Sequence, residues 1–134
     1  MRVTGECACG GKCKKVFVFA CSGGSDVGEL ADRAARRLDR DGVAQMYCLA
    51  GIGGDVSGIV KTTEAADAVL VIDGCSVNCG KKTLQRAGFQ RLKNICITDL
   101  GFRKGETEVN AAAAAVVAEA ARGSLRPSSE VEAS

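Results

Sequence analysis

The most informative feature of this sequence is a residue that it lacks, because histidine is absent from all 134 positions. A chain without imidazole has no Ser/His or Cys/His pair for nucleophilic catalysis, since the usual general base is missing. It also has no ring nitrogen to bind a transition metal. Any such metal site must therefore be built from cysteine sulfur, with carboxylate or water as supplements.

Several other features are scarce, and each narrows the class of protein. No apolar run approaches the roughly 18 residues that a membrane helix needs, and residues 1–7 lack the apolar core of a secretory signal. The net charge of +2 is too small to produce a long-range field. We therefore expect a cytoplasmic protein that binds neither a membrane nor a nucleic acid.

One basic stretch late in the chain is predicted to be a solvated face, because no aromatic side chains are interleaved with it to stack on bases. It contains Lys81, Lys82, Arg86, Arg91, Lys93, Arg103 and Lys104.

The chain is rich in cysteine, with eight residues. Its 46% of hydrophobic and 25% of charged residues are ordinary for a soluble domain that needs no disulfides to hold its core. In a reducing compartment such cysteines are typical of metal ligands or redox thiols.

The hydrophobic pattern alternates between strands and helices. Strands are predicted at residues 15–20, 43–49, 68–72 and 92–98, and helices at 28–40, 56–66, 76–86 and 106–121, with Asp26 as the first N-cap. This order favours a three-layer α/β/α fold with a doubly wound, mainly parallel, four-stranded Rossmann-like sheet. We predict a flexible arm at 1–13, one domain at 14–122 and a disordered tail at 123–134.

Four cysteines fall where ligands bind in such sheets, outside the carboxyl ends of the strands. Cys21, Cys48 and Cys75 each end or follow a predicted strand, and Cys79 lies in the predicted first turn of a helix. Residues four apart on a helix share a face, so Cys75 and Cys79 are expected to act as one pair of ligands. Four thiolates at one edge predict a tetrahedral zinc site. Cys96 lies between isoleucines within a strand, which indicates a core position.

The segment from Val16 to Gly101 resembles the DGC-domain family, a family associated with zinc binding and named for the motif that reads here Asp73-Gly74-Cys75. Further matching pieces are Cys21-Ser22-Gly23-Gly24-Ser25, Cys48-Leu49-Ala50-Gly51-Ile52-Gly53 and Thr98-Asp99-Leu100-Gly101. Ser76 departs from the family, in which proline often follows the motif cysteine. The resemblance implies zinc coordination by Cys21, Cys48, Cys75 and Cys79, and it implies no particular biochemical role.

The arm adds a second cysteine cluster outside the resemblance. Cys7, Cys9 and Cys13 form a C-x-C-x-x-x-C pattern beside lysines that favour thiolates. They are candidates for a separate soft-metal site or for delivering metal to the main site, and the alternative is an unstructured terminus.

Three carboxylates also fall near strand ends. Asp26, Asp73 and Asp99 are candidates for orienting the ligands or for acid/base work. For Asp73 the alternative is that it orients the turn that it begins.

The function favoured by these residues is zinc binding without catalysis, in metal storage, sensing or transfer. The alternative is a thiol-based redox or sulfur-transfer enzyme that uses Cys75 and Cys79, although their C-x-x-x-C spacing differs from the redox motif C-x-x-C. A weaker alternative treats Ser22-Gly23-Gly24-Ser25-Asp26 as a phosphate-binding loop. A phosphatase-type loop is excluded, because no arginine stands six positions after Cys21 or Cys75.

Overall fold

The computed structural model describes residues 14–126, which form an α/β domain. In chain order its elements are β1 (Val16–Ala20), α1 (Asp26–Arg40), β2 (Gln45–Met46), α2 (Leu49–Gly53), α3 (Ser57–Glu64), β3 (Ala68–Asp73), α4 (Cys79–Arg86), β4 (Lys93–Cys96), a 3-10 helix (Ile97–Leu100) and α5 (Ala111–Ser124). The four strands are parallel and lie in the order β2-β1-β3-β4. The predicted fold class is confirmed.

The two faces of the sheet bury separate cores because alternate side chains of each strand point to opposite sides. In β1, Val18 and Ala20 face α1 and α5, whereas Phe17 and Phe19 face the layer of α2, α3 and α4. The four side chains from Val69 to Ile72 in β3 are likewise divided between the two faces, and all are buried. Such continuous apolar strands are typical of a parallel sheet that is covered on both faces.

The strand order creates one point where neighbouring strands lead to opposite layers. β1 continues into α1 on one face, and its neighbour β3 continues into α4 on the other. The crevice at such a switch point is where open α/β sheets bind ligands. Cys21 follows β1 directly, and Cys75 lies two residues after the end of β3.

Several predicted boundaries were wrong. Ser25, not Asp26, is the N-cap of α1, because its side chain accepts from the N–H of Gly28. The second strand is two residues long instead of seven, and the short helix α2 lies where no helix was predicted. Packing stabilises α2 despite its glycines, since Ile52 is buried against the sheet.

The last elements also differ from the prediction. β4 ends at Cys96, and a 3-10 helix occupies the end of the predicted strand. α5 begins at Ala111, after its N-cap Asn110 accepts from the N–H of Ala113, and it ends at Ser124. Residues 123 and 124 are therefore helical and do not belong to the tail.

The predicted arm, with Cys7, Cys9 and Cys13, lies outside the described residues, as do residues 127–134 of the predicted tail. No helix within residues 14–126 is long and apolar enough to cross a membrane.

Candidate metal centre at the strand ends

The strand order places three cysteines in a row along the carboxyl edge of the sheet. Cys48 follows β2, Cys21 follows the adjacent β1, and Cys75 follows β3 on the other side of β1. Cys21 is therefore flanked by a cysteine-bearing strand end on each side. Cys96 ends β4 and is buried, 8% exposed, as the core interpretation predicted.

Cys21 is held at the switch point by backbone contacts with the end of β3. Its N–H donates to the carbonyl of Ile72 at 3.1 Å, and its Sγ accepts from the N–H of Gly74 at 3.3 Å. Gly74 must be glycine to come this close, because a Cβ there would lie 2.9 Å from the backbone of Val27 and 3.0 Å from the nitrogen of Gly28. The motif glycine thus fixes the loop after β3 against the start of α1.

The loop after Cys21 is itself pressed onto α1. A Cβ on Gly28 would lie 2.7 Å from the carbonyl oxygen of Gly23, so this helical position also requires glycine. Ser22 adopts a left-handed conformation with φ of 49°, and its hydroxyl donates to Asp32 at 3.0 Å. Left-handed non-glycine residues are uncommon and indicate a backbone that its surroundings constrain.

Cys48 is the N-cap of α2, and its Sγ accepts from the N–H of Gly51 at 3.2 Å. Cys48 and Cys21 line the same cleft of about 1030 Å³, which also contacts Arg36 and Thr83. Cys75 and Cys79 do not line it. The guanidinium of Arg36 donates a hydrogen bond to Asp32 at 2.8 Å, and this bond raises the pKa of Arg36 above its ordinary value.

The predicted helical pairing of Cys75 and Cys79 was wrong. α4 begins at Cys79, and residues 75–78 form a turn in which the N–H of Asn78 donates to the carbonyl of Cys75 at 3.1 Å. Asn78 has a left-handed backbone with φ of 57° and ψ of 47°, which prevents the helix from extending back to Cys75. Cys79 is exposed and Cys75 is half-buried.

A segment from Phe102 to Val109 passes beside Cys75. The ammonium nitrogen of Lys104 lies 3.8 Å from the sulfur of Cys75. Asp26, in the first turn of α1, anchors this segment by accepting from the N–H groups of Gly105 and Thr107 at 2.9 Å each. These two bonds, with a third from Val27, hold the pKa of Asp26 below its ordinary value, although its partial burial opposes them.

The motif carboxylate, Asp73, is 1% exposed and binds the start of α4. It accepts from the N–H groups of Gly80 at 2.7 Å and Lys81 at 3.1 Å, and from the side-chain amide of Asn94 at 2.9 Å. Asp99, by contrast, is exposed in the 3-10 helix. Of the three predicted carboxylates, Asp26 and Asp73 thus have structural partners next to the cysteine loops.

The first turn of α1 offers little to the phosphate-loop alternative. The N–H of Gly28 is bonded to the side chain of Ser25, and the N–H of Val27 to that of Asp26. A phosphate would have to replace these bonds and lie beside the negative charge of Asp26.

The cysteine sulfurs at this edge of the sheet are ligands of the type that zinc prefers, and they come from separate elements of the fold. Among residues 14–126, however, no three Cys, Asp or Glu side chains lie close enough together to hold a metal ion as they stand. The structure brings Cys21 and Cys48 onto one cleft and places the end of β3 against Cys21. It does not gather the four sulfurs around one point, so the four-cysteine site stays a prediction.

Sequence reasoning missed three residues of this region. Lys104 was assigned to a solvated basic face, but its ammonium group contacts Cys75. Asn94 and Gly80 were not singled out, and both contact Asp73. A polar residue within an apolar strand pattern was the available signal for Asn94.

Comparison with known proteins identifies the family. The family model described as "DGC domain" matches residues 17–121. The chain is also 39% identical over 88 residues to the anaerobic and virulence modulator AnvM of Pseudomonas aeruginosa, an alignment covering 66% of this chain and 67% of the relative. No solved structure matches it significantly. The chain belongs to the DGC domain family.

Proposed function

We propose that this protein binds a zinc ion through the thiolates of Cys21, Cys48, Cys75 and Cys79, and that it senses or passes on the metal without catalysing a reaction. The ion would be held at the carboxyl edge of the sheet, where Cys21, Cys48 and Cys75 follow β1, β2 and β3, and Cys79 begins α4. Because no three of these sulfurs lie close enough together among residues 14–126 to hold an ion, closing the site requires the Cys48 side chain and the turn at residues 75–78 to move toward Cys21.

The observation that carries the proposal is that three of these sulfurs each face a hydrogen-bond donor. Backbone N–H groups point at the sulfurs of Cys21 and Cys48, and the ammonium group of Lys104 lies beside that of Cys75. Each of these three sulfurs is therefore an acceptor whose lone pairs face the surrounding polar groups, and a metal ligand likewise offers a sulfur lone pair. A buried apolar cysteine needs no such partner.

The relative supports a role in sensing more than in storage. It is named an anaerobic and virulence modulator. For this chain the corresponding role is a thiolate site whose occupancy changes the conformation of the exposed edge. The turn at residues 75–78, which is exposed at Ser76 and Val77, is the part of that edge best placed to respond.

A second candidate is a thiol enzyme for redox or sulfur-transfer chemistry at Cys75 and Cys79. Two observations favour it: the N–H of Asn78 donates to the carbonyl of Cys75, which closes a turn directly before Cys79, and Cys79 is exposed. The three donors at separate sulfurs favour the metal, since a dithiol would need neither Cys21 nor Cys48.

The two candidates are separated by metal content and thiol accessibility in protein purified under reducing, anaerobic conditions. The background is a chain in which Cys7, Cys9 and Cys13 are replaced by serine, so that the arm does not contribute. Each of the four candidate ligands is then changed singly to serine. Cys96→Ser is the matched control, because Cys96 also ends a strand but is buried.

We expect about one zinc per chain, as a closed tetrahedral thiolate site binds, with protection of the four cysteines from alkylation. Each ligand variant should lose the metal, and Cys96→Ser should keep it. Metal-free wild type with rapid alkylation of Cys75 or Cys79 would overturn the zinc proposal and support the thiol enzyme.

A further inference from the structure

We infer that Asp73 is the positioning residue that fixes Cys79 for metal binding, by anchoring the first turn of α4 from beneath. This inference rests on the proposed zinc function and assigns a role within it to a side chain that is not itself a ligand.

Asp73 takes the place of the missing helix cap. The N-cap residue of α4, Asn78, makes no side-chain cap bond, and its Oδ1 is buried without a partner. The N–H groups of Gly80 and Lys81 are bonded instead by the two carboxylate oxygens of Asp73. An acidic group at this end of a helix is also favoured by the helix dipole. The start of α4 therefore depends on a side chain of β3.

The carboxylate is held rigidly enough to act as an anchor. Asn94 of β4 donates its side-chain amide both to Asp73 and to the carbonyl of Val71, at 2.9 and 3.3 Å. Gly80 allows the close approach, because a Cβ there would lie 2.9 Å from the carboxylate oxygen and 2.6 Å from Val71. The first turn of α4 is thus pinned to the sheet directly beside Cys79.

The two cysteines near the start of α4 differ in how firmly their backbone is held. Cys79 is the first residue of α4, adjacent to the anchored Gly80. The turn at 75–78 carries the other cysteine of the pair and is exposed at Ser76 and Val77. With Asp73 in place, that turn can adapt while the backbone of Cys79 stays in position. Without it, the helix start frays and one ligand is lost from the set.

The test uses the full chain and cobalt(II), whose visible absorption reports the number of thiolates in a tetrahedral site. Asp73→Asn keeps the size of the side chain but replaces one acceptor oxygen with a donor. Asp99→Asn is the matched control, because Asp99 also lies beyond the end of a strand, in the 3-10 helix that follows β4, but is exposed. Asn94→Ala removes the amide that supports Asp73 but leaves the carboxylate bonds to α4. This variant replaces Asp73→Asn in the test if Asp73→Asn does not fold. Amide exchange at Gly80 and Lys81 in the metal-free protein gives a readout independent of the metal.

We expect Asp73→Asn to bind cobalt and zinc roughly 10- to 100-fold more weakly, as loss of a group that orients a ligand typically does. Its cobalt spectrum should shift toward fewer thiolates, and its exchange at Gly80 and Lys81 should accelerate. Asn94→Ala should change in the same direction by about tenfold, at the lower end of that range, and Asp99→Asn should match wild type.

The outcomes distinguish this inference from the proposed function. A wild type without thiolate–cobalt absorption would overturn the proposed function itself. A wild type with a four-thiolate spectrum, together with an unchanged spectrum and affinity in Asp73→Asn and Asn94→Ala, would overturn this inference alone.

Discussion

Replacing Gly28 with alanine tests the contact that places Cys21. In an ordinary helix the substitution would stabilise the protein, since alanine is favoured over glycine by up to about 1 kcal/mol. Here the new methyl group would lie 2.7 to 2.9 Å from three backbone atoms of Gly23, which cannot rotate away as a side chain could. Either the loop that follows Cys21 or the start of α1 must move.

The expected loss of stability is the cost of overpacking less the gain in helix propensity. Overpacking a tight site typically costs about 1–3 kcal/mol, and the gain in helix propensity offsets part of it. We expect Gly28→Ala to lower the free energy of unfolding by about 1–2 kcal/mol. For a domain of this size that corresponds to roughly 3–10 °C in Tm, since each kcal/mol moves Tm by several degrees.

Gly58 provides the matched control. It also lies in a helix, α3, but a Cβ there would meet no atom within 4 Å. Gly58→Ala should therefore stabilise the protein by roughly 0.4–1 kcal/mol. The same chemical change is thus expected to have opposite signs at two helical positions.

The assay is urea and thermal unfolding in reducing buffer with a chelator, so that metal binding does not contribute to stability. A second measurement compares zinc affinity, which should fall in Gly28→Ala and stay constant in Gly58→Ala. If Gly28→Ala were as stable as Gly58→Ala, the close approach of residues 21–25 to α1 would be refuted, and with it this account of how Cys21 is placed.

Three further predictions concern the same edge of the sheet. Gly74→Ala should lower the free energy of unfolding by about 1–3 kcal/mol, because its Cβ would overlap the backbone of α1. Urea unfolding measures this change, and an unchanged stability would contradict the role given to the motif glycine. Zinc should raise the stability of wild type by about 2.7 kcal/mol at 100 times its Kd, measured by thermal unfolding, whereas an equal rise in Cys21→Ser would exclude Cys21 as a ligand. Because its folded pKa is lowered, Asp26 contributes stability that is present above its usual pKa of 3.8 and is lost as the pH falls through the lower folded value. Urea unfolding across the acid range should show the advantage of wild type over Asp26→Asn at neutral pH shrinking in acid, and a difference independent of pH would contradict this assignment.

The strands, and their alternation with helices along the chain, were predictable because they follow from local hydrophobic patterns. The apolar run at residues 68–72 predicted a buried strand, and four of its five residues are buried. The helix α2 was not predictable in this way, since Leu49-Ala50-Gly51-Ile52-Gly53 has poor helix propensity. Its formation depends on Ile52 packing against the sheet and on the cap from Cys48.

The position of the candidate site was predictable for a different reason. Parallel strands bring their carboxyl ends to one edge, so cysteines that follow β1, β2 and β3 lie along that edge regardless of local detail. The helical arrangement expected for Cys75 and Cys79 depended on local detail and was wrong, because α4 begins about one turn later than predicted, after the left-handed Asn78.

The motif Asp73-Gly74-Cys75 shows why the remaining contacts could not be read from the sequence. Each residue acts on a different distant element: Asp73 on α4, Gly74 on Cys21 and α1, and Cys75 on Lys104. The contact between Gly74 and Cys21 joins residues 53 positions apart, and no local pattern encodes a partner at that distance. The motif is therefore a junction where three parts of the chain meet, and its glycine and aspartate are required by packing and capping even before a metal is considered. A ligand at this junction would contact both layers of the fold, because α1 packs on one face of the sheet and α4 on the other.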